Sequence, residues 1–195
     1  MRWYWALQWA NSLSYAYCSD KHDFKGLSEN AIGTGLPIHN WDSTAWIQST
    51  DPECDGPPDD VLQNHLGLKI YSPKLKKVLE LANVSGIQYL PLKVRHRSGD
   101  EILDYSIANI LNLPSVVDLV KSDYSVFMPD DPIKERWGTI SSVHRMVLRQ
   151  KDLSGFDIIL PKEFPESVYV SEKFKRAFEA ANCTGYGFQE VPLSD

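Results

Sequence analysis

The sequence predicts an α+β fold: a largely antiparallel sheet braced by two main helices at about residues 73–83 and 172–182. Three observations carry that expectation. First, the segment SPKLKKVLELANVSG (Ser72–Gly86) is echoed by SEKFKRAFEAANCTG (Ser171–Gly185) at an offset of 99 residues (171 − 72). Second, each echo is flanked by short apolar runs suited to strands. Third, the stretch between them has strand-like composition, rich in β-branched residues. The echoes read as copies of one strand–helix–strand unit, within a single domain spanning residues 1–195.

Residues 2–9, RWYWALQW, are aromatic-rich and read as a strand. From residue 10 to 65 the chain is punctuated by Gly33, Gly35, Pro37, Pro52, Gly56, Pro57 and Pro58, so loops and short elements are expected. Within it, Thr44–Gln48 suits a strand. Pro58 suits the start of a short helix, with Asp59 and Asp60 in its first turn, where the helix dipole favours acids.

The first copy begins after a strand end at Lys69–Tyr71. Ser72 is a good N-cap and Pro73 fits the first helical position. Leu75, Val78, Leu79 and Ala82 make one apolar face, with Lys74, Lys76, Lys77 and Glu80 on the wet side. Asn83 and Gly86 supply left-handed residues to stop the helix, and Ile87, Tyr89, Leu90 and Leu92 open a strand. The second copy has Val168 and Val170 before the cap Ser171, the face Phe174, Ala177, Phe178 and Ala181, the stop Asn182 and Gly185, and a strand from Tyr186 and Phe188. Between Tyr71–Leu92 and Val170–Val191 seven positions are identical: Ser, Lys, Lys, Glu, Ala, Asn and Gly. Helix signals account for Ser and Gly; no helix rule requires the Lys-x-Lys or Ala-Asn matches. Asn83-Val84-Ser85 and Asn182-Cys183-Thr184 fit the N-glycosylation pattern, but both lie where a helix must stop, which explains the Asn without a glycan. Ile102–Leu111, Thr139–Arg149 and Phe156–Leu160 read as strands, Asn112-Leu113-Pro114 as a turn and Asp130-Asp131-Pro132 as a charged loop.

Hydrophobic content of 43% and charged content of 24% are those of an ordinary globular chain. Cys18, Cys54 and Cys183 are scattered and odd in number, which suits a reducing compartment. The N-terminal aromatics are interrupted by Gln8, Asn11, Ser12 and Ser14, so no signal peptide is expected, and a cytoplasmic location is. No apolar run approaches the roughly 18 residues of a membrane helix, so no membrane insertion is expected.

The net charge of −6 is unevenly placed. Between Lys25 and Lys69 there is no Lys or Arg, while Glu29, Asp42, Asp51, Glu53, Asp55, Asp59 and Asp60 give that interval a net −7. Such a chain repels phosphate, so no nucleic acid partner is expected, whereas a basic partner suits it. Phosphate-loop, dinucleotide, nucleophile-elbow and zinc-protease motifs are lacking. His22, Asp23, His39, Asp42, His65 and Cys54 match no metal spacing, and no metal or cofactor is expected.

The runs YSPKLKKVLELANVSGIQYLPLKV, DYSIANILNLPSVVDLVKSDY and FDIILPKEFPESVYVSEKFKRAFEAANCTGYGFQEV resemble one bacterial family over residues 58–191. It is the eleventh numbered family of polymorphic-toxin immunity proteins, first typified by a myxobacterial protein. The chain departs from the family pattern at Leu160-Pro161-Lys162, where an aromatic-basic pair is common. The resemblance implies no catalytic residues and a non-enzymatic role: binding a cognate toxin domain, encoded nearby, and blocking it. Charge, not the resemblance, suggests that the toxin is basic. On the same ground Asp42, Trp46, Asp51, Glu53, Asp55, Asp59 and Asp60 are the expected toxin-facing residues, since acids seldom lie buried and a tryptophan among them makes an anchor. Core packing is the competing explanation for Trp41 and Trp46. The other functions compatible with the residues are a ligand-binding or regulatory domain, with its pocket between the two helices and the sheet, and a hydrolase with convergent carboxylates.

Overall fold

Short strands build most of the regular structure. The computed structural model describes residues 4–9, 18–49, 58–96 and 102–195. Along it run β1 (Tyr4–Trp9), β2 (Cys18–Asp23), β3 (Trp46–Ser49), β4 (Val61–Leu62), β5 (Ile70–Tyr71), α1 (Pro73–Leu81), β6 (Ile87–Arg95), β7 (Ile102–Ile110) and β8 (Asp123–Val126). There follow β9 (Ile140–Arg145), β10 (Leu148–Arg149), β11 (Ile158–Ile159), β12 (Tyr169–Ser171), α2 (Glu172–Ala180), β13 (Tyr186–Glu190) and β14 (Leu193–Ser194). The fold is α+β, as expected. One sheet has the order β2-β3-β6-β7-β5-β4, antiparallel except for β3–β6; another has the order β11-β12-β1-β13, antiparallel throughout.

These two sheets contain the same four-strand unit. β4-β5-β7-β6 in the first corresponds to β11-β12-β1-β13 in the second. The register agrees residue by residue. Tyr71 faces Ser106 and Ile87 faces Ile110 in one; Val170 faces Trp5 and Tyr186 faces Trp9 in the other. The duplication therefore reaches beyond the strand–helix–strand echo, and its central strands come from different places. The first unit takes β7, next in sequence after β6. The second takes β1, from the opposite end of the chain.

Each central strand has two packed faces, as a period of two requires. Trp5, Leu7 and Trp9 of β1, with Ala108 and Ile110 of β7, turn towards Leu75, Leu79, Phe174 and Phe178 of the helices. Tyr105 and Ile107 join a core on the far side of the first sheet, and Tyr4 and Ala6 one on the far side of the second. The space between the helices and the sheets, where a ligand pocket would have to lie, is filled by this central core.

Four expectations need correction. No helix starts at Pro58: the chain is extended and forms β4, because the Val61 NH donates to the Thr184 carbonyl (3.1 Å) and β4 pairs with β5. The strand near Thr44 starts only at Trp46, since Asp42 ties Thr44 and Ala45 into a turn. The strand expected over Thr139–Arg149 breaks into β9 and β10. The helices end at Leu81 and Ala180, before the caps Ala82 and Ala181, and not at 83 and 182.

Candidate functional site

The described acids of the stretch do not share one surface. Asp42 is exposed, and its carboxylate accepts hydrogen bonds from the Thr44 NH and hydroxyl, both at 2.7 Å. Those bonds, the backbone one first, hold its carboxyl below the usual 3.8. Trp46 is half-buried at the head of β3, with the Arg95 guanidinium 4.4 Å over its ring. Trp41 packs on the first core, and its indole NH donates to the Pro91 carbonyl (2.7 Å). Asp51, Glu53 and Asp55 lie outside the described residues. Asp59 and Asp60 are buried, 3% and 8% exposed, against the expectation that these acids stand in solvent.

The reason is a latch between the two units. Asp60 accepts from the Ser72 hydroxyl (2.6 Å), the Lys74 ammonium (2.9 Å) and the Thr184 NH (3.1 Å). Lys74 also donates to the Asn182 carbonyl at the end of α2 (2.9 Å). The second unit mirrors each contact. Asp157 accepts from the Ser171 hydroxyl (3.2 Å), the Lys173 ammonium (2.6 Å) and the Ser85 NH (3.2 Å), and Lys173 donates to the Asn83 carbonyl (2.8 Å) at the end of α1. The N-terminus of each helix is thus bound to the C-terminus of the other.

This arrangement explains the seven repeated residues. Ser72 and Ser171 cap their helices, accepting from the Leu75 NH (3.0 Å) and the Phe174 NH (3.4 Å). Lys74 and Lys173 are the reciprocal latch. Lys76 and Lys175 lie over the equivalent rings of Tyr89 (5.3 Å) and Phe188 (5.9 Å) and pair with Glu80 and Glu179 one turn on. Ala82 and Ala181 are the C-caps. Asn83 and Asn182 adopt left-handed backbone, φ 54° and 48°, which aims their carbonyls at the other helix's lysine. Gly86 and Gly185, φ 90° and 100°, leave no room for a Cβ: it would stand 1.9 Å from the Asn112 side chain at the first and 2.5 Å from the Val61 carbonyl oxygen at the second.

Two further features bear on function. A hollow of about 650 Å³ is lined by Glu29, Ile32, Lys69, Leu113, Leu160 and Glu166 among others. Desolvation lowers the pKa of Lys69 within it, and Glu166 partly offsets the effect. Among the described residues no three His, Cys, Asp or Glu side chains are grouped to hold a metal, and no helix is long and apolar enough to cross a membrane. The other feature is an arm, β8 and β9 with the loop between them, which forms a two-stranded sheet of its own. It carries exposed Val126, Met128, Ile133 and Trp137. Reading Asp130-Asp131 as a charged turn overlooked these neighbours; the signal available was a run of apolar residues interrupted by Pro129 and Pro132, too broken for a core strand.

The molecule is thus a duplicated α+β body with an exposed apolar arm. The model of the Immunity protein family (Imm11) matches residues 3–192, and the chain belongs to that family. No curated protein matches the chain.

Proposed function

We propose that this protein binds and neutralises a cognate toxin domain by non-covalent contact, as one domain over its 195 residues and without catalysis of its own. The observation that carries the reading is the family match across nearly the whole chain, residues 3–192. The toxin is a basic protein encoded nearby, met in the cytoplasm; the net charge of −6 favours fast encounter with such a partner and disfavours nucleic acid.

Asp42, Trp46, Asp51, Glu53 and Asp55 make up the proposed acidic contact. Asp59 and Asp60 are both buried, Asp60 within the latch, and do not meet the toxin directly. Reversing Asp42, Asp51, Glu53 and Asp55 to Lys together should slow association by ~10-fold or more at low salt, with little effect at high salt. The function itself is tested by expressing the toxin encoded beside this chain's gene with and without the chain. Rescue of growth and copurification support the reading; equal killing with and without the chain would overturn it.

A further inference from the structure

We propose that the arm of residues 119–145 is the element that docks into the partner, and that the partner offers an apolar groove on a domain of net positive charge. This rests on the reading of the chain as a toxin binder and adds where, and by what chemistry, the contact is made.

From Asp118 to Arg145 no residue is buried. Among the described residues β8 and β9 pair only with each other, and an isolated two-stranded ribbon is marginal in water. This one is ordered at its base by Val143, which packs against the core on the far side of the second sheet, and at its end by its own tip. The Phe127 NH donates to the Thr139 carbonyl (3.0 Å) and the Gly138 NH to the Phe127 carbonyl (2.9 Å). The Asp131 carboxylate accepts from the Ile133 NH (2.8 Å), and the Asp131 carbonyl accepts from the Trp137 indole NH (2.9 Å). The Lys134 ammonium lies 5.9 Å over the Trp137 ring and the Arg136 guanidinium 5.7 Å over that of Phe127.

What that order displays is apolar. Among the described residues, Leu119, Val120, Val126, Met128, Ile133 and Trp137 are six of the eight exposed large hydrophobics, and all lie on this arm; Val120 is 94% exposed and Met128 60%. Holding such side chains in water yields nothing within the monomer, and covering them yields the hydrophobic free energy. Clustered exposed apolar groups mark interaction sites, and Trp, Met and Arg are favoured at interface centres.

Charge selects the occupant. Over residues 119–145, four basic residues (Lys121, Lys134, Arg136, Arg145) balance four acidic ones (Asp123, Asp130, Asp131, Glu135), so the whole net charge of −6 sits on the body. A second copy brings the same −6 and is repelled. A basic domain is attracted to the body, while the neutral arm enters its groove without burying net charge. The alkyl stems of Lys134 and Arg136 widen the apolar contact.

The test flows the full-length chain over the immobilised toxin domain encoded beside its gene. Met128→Ser, Ile133→Ser and Trp137→Ser together should raise the off-rate by ~100-fold or more, leave the on-rate and its salt dependence nearly unchanged, and lower the melting temperature of the free chain only slightly, since the Trp137 bond that is lost lies in the exposed tip. A second variant, with residues 128–137 replaced by a short Gly-Ser turn, should lose binding equally. An off-rate that stays within ~3-fold of the parent in both variants overturns the inference while toxin binding stands. So does sedimentation showing that the free chain is a dimer which these variants only dissociate. Failure of the parent chain to bind removes the toxin-binding reading, and this inference with it.

Discussion

The two units share strand order, register, caps and latch, yet differ in how each is closed. The first takes its central strand β7 from the residues that follow β6, so this pairing is local in sequence; the second takes β1 from more than 150 residues away. In the first, Tyr105 donates to the Asp59 carbonyl (2.8 Å); in the second, Tyr4 donates to the equivalent Phe156 carbonyl (2.7 Å).

 The pairings concerned are β6 with β7 on one side and β1 with β12 and β13 on the other. Identical geometry reached by a short and by a long closure teaches that the register is set by the packed faces and not by the connection.

The sharpest way to break this comparison is to remove β1. A chain lacking residues 1–9 leaves β12 and β13 without a partner between them, and should lose more stability than a small domain has to spare, ~5 kcal/mol or more. Hydrogen exchange should then show protection surviving in β5–β7 and lost in β12 and β13. A melting curve that matches the parent chain would mean that β1 is an accessory strand.

Next in size is the latch. Asp60→Ala strands the Ser72 hydroxyl, the Lys74 ammonium and the Thr184 NH, and should cost ~3 kcal/mol by denaturant titration. Asp157→Ala should cost ~2 kcal/mol, because the Ser171 contact is longer, 3.2 Å against 2.6 Å. A larger loss at Asp157 would invert the ranking of the two units. The glycines sharpen the same contrast. Gly185→Ala meets backbone, the Val61 carbonyl oxygen, whereas Gly86→Ala meets the Asn112 side chain, which can turn aside. Both residues have positive φ, so both substitutions destabilise, Gly185→Ala by ~1 kcal/mol more.

How much of this was legible follows from the reach of each signal. The helices declared themselves because Ser72, Ser171, Asn83 and Asn182 act within a few residues of their own position. β4 and β11 are two residues each, too short for any periodicity. Asp60 looked like a solvent-facing acid because its partner Thr184 lies 124 residues away, and no local pattern records that meeting. The repeated lysines were visible as an anomaly and became explicable only once each was seen to serve the other helix.

The smallest predicted effect probes the one acid that the second unit lacks. Asp59 occupies the place that Phe156 holds in the other half, so the first unit buries two neighbouring carboxylates where the second has one half-buried carboxylate, Asp157. Desolvation raises the pKa of Asp59 above the usual 3.8; the Thr184 hydroxyl opposes the shift and Asp60 adds to it. With the folded value above the unfolded one, the folded state binds more protons in the interval between them. The contribution of Asp59 to stability is therefore greatest below 3.8 and falls as pH rises through the raised value. Asp59→Asn cannot ionise and escapes that fall. It should be more stable than the parent at pH 7 and no more stable at pH 3, as urea titrations at the two pH values would read. A variant equally stabilised at both would trace the effect to packing, and the extra carboxylate would then cost the first unit nothing by its charge.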